Sequence, residues 1–122
     1  MARLVKSFFG YIYLEANVDE AVKVLEAMKE LGRETGDVED SLRILRNFDA
    51  FQEMLRKRFK EFIAPRKSER DLIMGRVSVD KLRLIRKGGE RKVVIVFDKR
   101  VPEDDVVEAL QKAGVEFERA EE

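Results

Sequence analysis

The apolar positions of this chain follow two periods, and the shorter one is clearest near the C-terminus. Between Lys92 and Phe97, Val93, Ile95 and Phe97 point to one side of an extended strand and Val94 and Val96 to the other. Val77 to Lys87 reads as the preceding strand. Lys87-Gly88-Gly89-Glu90 joins the two, because a two-residue primed turn needs positive φ at both central residues and two glycines supply it. That turn fixes the register. Lys87 faces Glu90, Arg86 faces Arg91, Ile85 faces Lys92, Leu84 faces Val93 and Leu82 faces Ile95.

The longer period marks the helices. Asn17 is an N-cap with Glu20 as its capping-box partner, and Val18, Ala21, Val22, Val24, Leu25, Met28 and Leu31 follow at helical spacing up to Gly32. After a break at Glu34-Thr35-Gly36-Asp37, one long helix is expected over about residues 37–64, ended by Pro65. Its stripe of Val38, Leu42, Ile44, Leu45, Phe48, Phe51, Leu55, Phe59, Phe62 and Ile63 covers about half the circumference. Ser68 and Asp71 suit a single short turn before Gly75. Pro102 and the acids Glu103, Asp104 and Asp105 open a last helix that stops at Gly114. Val115 to Glu118 reads as a final strand, with Glu121 and Glu122 fraying.

Leu4 to Leu14 fits both periods. Leu4/Val5, Phe8/Phe9 and Ile12/Tyr13 recur every four residues, yet the density of β-branched and aromatic residues and Gly10 favour a strand. With that choice the chain is a single α+β domain over residues 1–122. Its expected topology is a ferredoxin-like βαββαβ order with a long helical insertion between the first helix and the second strand. Ile12 to Asn17 loosely resembles the first-strand motif of RNA-recognition-motif proteins. Arg91 to Phe97 lacks the alternating aromatics that the third strand of that family carries, so the chain is not assigned to it. Phe9, Tyr11 and Tyr13 share one face of such a strand, where packing is the simpler use for them.

Composition narrows the chemistry. The 122 residues include no Cys, no His and no Trp. Thiol nucleophiles, thiolate metal sites, imidazole bases and haem-ligating histidines are excluded. No nucleotide-binding glycine fingerprint and no calcium loop occurs. The acid pairs Glu39-Asp40 and Asp104-Asp105 fall at helix starts, where the dipole explains them. No catalytic residue, metal or cofactor is therefore expected. Two Asn, two Gln and one Thr, beside 25 basic and 25 acidic residues, give the composition of a small archaeal-type protein from a hyperthermophile. No apolar run is long enough to span a membrane. The first residues resemble no signal peptide, and a cytoplasmic location is expected.

The charges balance but are unevenly placed. Residues 15–40 carry −6 and residues 101–122 carry −6, while residues 41–100 carry +10. A basic middle of this kind is the footprint of a phosphate-binding surface, unless the acidic helices neutralise it within the fold. Two clusters are the candidates for nucleic-acid contact. One is Arg83, Arg86, Lys87, Arg91 and Lys92 at the hairpin, and the other is Arg56, Lys57, Arg66, Lys67 and Arg70 beyond the long helix. A strand apolar on both faces and a wide Phe stripe suggest a different use, with Phe48, Phe51, Val94 and Val96 as interface positions. The leading expectation is a non-enzymatic protein-interaction module, a homodimer or a small subunit of a larger complex. The alternative is a protein that binds RNA or single-stranded nucleic acid.

Overall fold

The computed structural model describes all 122 residues. The elements run β1 (Ala2–Lys6), β2 (Ile12–Asn17), α1 (Val18–Glu30), α2 (Gly36–Arg46), α3 (Phe48–Lys57), α4 (Glu69–Ile73), β3 (Val79–Lys87), β4 (Glu90–Phe97), α5 (Glu103–Ala113) and β5 (Phe117–Glu121). The class is α+β, with five helices and a five-stranded mixed sheet ordered β3-β4-β2-β1-β5.

The β3–β4 hairpin has the expected register at every pair from Leu82–Ile95 to Lys87–Glu90, and Gly88 and Gly89 both sit at positive φ. The α1 cap is also as expected. Asn17 accepts from the Glu20 amide, and the Glu20 side chain accepts from the Asn17 amide. At the other end Gly32, at φ 100°, donates to the Lys29 carbonyl while Arg33 donates to Met28, the paired bonds of a Schellman stop.

Four expectations change. Leu4 to Leu14 is not one strand. It breaks at Ser7–Tyr11, where Gly10 adopts φ 85° and the Ser7 hydroxyl accepts from the Tyr11 amide, so β1 and β2 form an antiparallel hairpin. The helix expected over residues 37–64 is two helices. Asn47 leaves helical geometry at φ −119° and donates its side-chain amide to the Arg43 carbonyl, a local bond that competes with the helix ladder. The second helix ends at Lys57 rather than at Pro65. The C-terminus does not fray. Residues Phe117 to Glu121 pair in parallel with β1, the Glu122 amide donates to the Lys6 carbonyl, and the Tyr13 hydroxyl donates to the Glu122 carboxylate. The sheet order, finally, differs from a ferredoxin-like one, because β1 lies between β2 and β5.

Helices cover one face of the sheet. Leu4, Leu14, Leu82, Leu84, Val93, Ile95 and Phe97 point into a core shared with Val24, Leu25, Met28, Leu42, Leu45, Phe48, Val106 and Leu110. A single buried carboxylate ties the helical layer to the start of β3. Asp37 accepts from the amides of Ser78 and Val79, each at 2.6 Å, from the Val38 amide at 3.1 Å, and from the Thr35 hydroxyl. Asp37→Ala would leave two amides buried without a partner. It should lower unfolding free energy by roughly 3 kcal/mol, read from the midpoint of chemical denaturation.

Candidate functional site

The five hairpin cations do not form one patch. Strand alternation puts Arg86 and Arg91 on the helix side, and Asp49 at the start of α3 holds both. Its carboxylate lies 3.2 Å from Arg86 and 2.6 Å from Arg91. Arg83, Lys87 and Lys92 share the other face. There Arg83 lies 3.4 Å from Glu61 and Lys92 3.5 Å from Glu90. Only Lys87 of the five has no carboxylate within 4.0 Å. Most of this cluster is ion-paired within the chain.

The second cluster behaves differently. Arg56 grips Glu53 with two nitrogens, at 2.7 and 3.1 Å, and this contact holds the Glu53 carboxyl below its usual range. Lys57, Arg66, Lys67 and Arg70 have no carboxylate within 4.0 Å, and neither do Arg58, Lys60 and Arg76 around them. These seven cations belong to one strap over residues 57–76 that crosses from α3 to β3.

The strap's course follows from its anchors. Ile63 and Leu82 exchange backbone hydrogen bonds of 2.9 and 2.8 Å, so the strap lies along the outer edge of β3. The Arg66 amide donates to Asp40 of α2 at 2.7 Å. Lys67 reaches the carbonyl of Asp80, where β3 is irregular. Ser68 caps α4, as expected from the sequence, and Asp71 of α4 accepts from the Gly36 amide at 2.8 Å. The edge of a sheet exposes unpaired amides and carbonyls, and a polar strap is one way to cover it. This strap also carries cations that make no ion pair within 4.0 Å, although Asp98 lies in the field of Lys67 and Asp71 in that of Arg70 and Arg76.

One strap residue was placed wrongly by periodicity. Phe59 is not on the buried stripe of a continuing helix. It is the residue just beyond the α3 cap, 98% exposed, and the only non-glycine at positive φ. The hint was present in Arg56-Lys57-Arg58, a basic run suited to a helix C-terminus.

The proposed interface positions are mostly internal. Phe48 is core. Phe51 is half-buried against the core with the Arg43 guanidinium 5.2 Å from its ring centre. Val96 is buried and Val94 half-buried, on the face away from the helices. That face forms an open hollow of about 920 Å³, with Arg3, Glu15, Arg83 and Lys92 around Ile85 and Val94. Phe9, expected to pack on a strand face, is instead exposed in the Ser7–Tyr11 turn: at this β1–β2 tip Phe8 and Phe9 are 82% and 77% exposed and meet edge to face at 5.4 Å. Two acids of the pairs at helix starts are ion-paired with another part of the chain. Glu39 pairs with Lys29 at 2.7 Å and Asp105 with Arg33 at 2.6 Å. No group of three acids that could hold a metal ion occurs.

The strap anchor should titrate. The Gly36 amide, and after it the Ser68 hydroxyl, holds the Asp71 carboxyl below its ordinary value of 3.8. A depressed folded value means that the stability from this contact is complete above the ordinary value and is lost as pH falls through the folded one. Asp71→Asn should therefore flatten the acid limb of a plot of melting temperature against pH, relative to the wild type.

Comparison of the chain with protein-family models, with curated proteins and with solved structures finds no match.

Proposed function

We propose that this chain is a non-enzymatic module that binds RNA or single-stranded DNA along the strap at the β3 edge. The observation that carries this reading is the contrast between the two basic clusters. Four of the five hairpin cations are ion-paired with Asp49, Glu61 or Glu90, whereas Lys57, Arg66, Lys67 and Arg70 make no ion pair within 4.0 Å. An extended run of free cations can track a phosphate backbone, and an exposed aromatic beside it suits unpaired bases. We further read the succession β2–α1–β3–β4–α5–β5 as a ferredoxin-like core to which β1 has been added. The composition supports a cytoplasmic protein of a hyperthermophile.

A protein partner is the second reading, favoured by the exposed Phe8–Phe9 pair at the β1–β2 tip. Aromatic residues of this kind anchor interfaces. Its earlier support from Phe48, Phe51 and Val96 is weaker, since these side chains are satisfied inside the chain. Phe8→Ser with Phe9→Ser should abolish any self-association seen by light scattering.

The nucleic-acid reading is tested by fluorescence anisotropy with a labelled single-stranded oligonucleotide over a range of salt. Changing Lys57, Arg66, Lys67 and Arg70 to Glu should abolish binding. Changing the four to Ala instead should reduce the slope of log affinity against log salt by up to about 3, at ~0.7 per phosphate contact on a single strand. Arg86→Gln should leave affinity unchanged, because that side chain already has a carboxylate partner. If the wild type does not bind at low salt, or the charge-reversed protein binds as well, the strap is only an edge cover.

A further inference from the structure

Phe59 is an uneconomical choice twice over. The α3 helix ends in a Schellman stop, with Lys60 donating to the Leu55 carbonyl at 3.0 Å and Phe59 donating to Arg56 at 3.2 Å. The residue after the cap must then be left-handed, and Phe59 sits at φ 53°. Glycine takes that position at no steric cost, while a side chain with a Cβ is strained there. Phe59 gains nothing from burial in return, since 98% of it is exposed. A strained backbone under an exposed aromatic is an observation from which function can be inferred.

We propose that Phe59 is a stacking platform for one unpaired nucleobase, at the α3 end of the cationic strap. This inference rests on the nucleic-acid reading above and adds a base contact to its phosphate contacts. The surroundings support it. Lys57, Arg58 and Lys60 are its neighbours in the chain, and none has a carboxylate within 4.0 Å. The other aromatics nearby are already covered. Lys81 lies 4.4 Å over the ring of Phe62, and Arg43 lies 5.2 Å over that of Phe51. Both faces of the Phe59 ring are open.

At the α3 end of the strap Phe59 is the one exposed large apolar side chain; the strap's other exposed apolar residues, Leu72, Ile73 and Met74, lie in and after α4. Leu55 is buried, and Phe62 and Ile63 are half-buried. A membrane-binding segment presents a whole apolar face, and a protein interface has an apolar centre of several residues. A single ring among free cations matches a base attached to its phosphate.

The test uses two labelled strands of about 15 nucleotides, within the usual site sizes, one of deoxythymidine and one abasic. Wild type should bind the thymidine strand roughly 5- to 150-fold more tightly than the abasic one, the worth of one stacked base. Phe59→Gly should bind both strands alike, at the wild-type affinity for the abasic strand, and should melt at a higher temperature than wild type. Phe59→Leu keeps the strained backbone and the apolar bulk, and should lose the same preference. Phe59→Tyr should retain it. If wild type binds both strands equally, or Phe59→Gly keeps the preference, the stacking role is wrong while the cationic strap stands. If wild type binds neither strand but binds phosphatidylserine vesicles, both are overturned.

Discussion

Asp37 is the joint on which the arrangement of helices and strands depends. It is buried at the first turn of α2, and its carboxylate closes four donor groups from two distant stretches of chain. Ser78 and Val79 are fully buried where the chain enters β3, and their amides turn to Asp37. A buried amide without a partner is costly, so the position of α2 and the start of β3 are set together. The strap leaves α3 and enters β3 between elements already fixed by this joint. Its length has to be taken up along the β3 edge, where Ile63 pairs with Leu82.

The same constraint explains why charge along the sequence does not map directly onto charge at the surface. Asp49 lies at the start of α3, and α3 packs on β3. It thereby meets Arg86 and Arg91, 37 and 42 positions away, and removes two cations from the densest basic run of the chain. The strap is too irregular to receive such partners. It runs past an edge rather than over a helix face. Its anchors are the Ile63–Leu82 backbone pair, the Arg66 amide donating to Asp40, and the Asp71 carboxylate accepting from the Gly36 amide.

Local signals were the legible ones. The Gly88-Gly89 turn, the Asn17–Glu20 capping box and the Gly114 stop act within a few residues, and each appears where the pattern placed it. The two-faced distribution of the hairpin cations was also legible, since Arg86 and Arg91 oppose each other and lie two residues from Leu84 and Val93. Their partner was not legible, because nothing local points to Asp49. The helix break at Asn47 and the stop before Phe59 were hidden by an apolar stripe that kept its period through both. Phe59 continued the period of Phe48, Phe51 and Leu55 by coincidence, and only the backbone conformation separates it from them. The parallel pairing of β5 with β1 brings together opposite ends of the chain, and no local pattern carries that information.

The strand that is apolar on both faces suggested an interface, and the sheet covers its outer face partly from within the chain. On the face away from the helices, Val5, Val96 and Ala120 occupy one row with Tyr13 and Lys81. Tyr13 is latched to Glu122, and burial followed by that bond pushes its phenol up to about 12. Lys81 lies across Phe62 of the strap, and in the next row Arg3 reaches both Glu15 and Glu118. Long side chains thus lay their aliphatic stems beside Val5 and Val96 and keep their polar ends in water. The row of Val5, Val96 and Ala120 is closed in this way, while the rows beside it form the open hollow around Ile85 and Val94. Exposed cationic and apolar groups also lie at the margins of the fold, in the cations and open Phe59 ring of the strap, in Leu72, Ile73 and Met74 at α4, and in the aromatic tip of the β1–β2 hairpin.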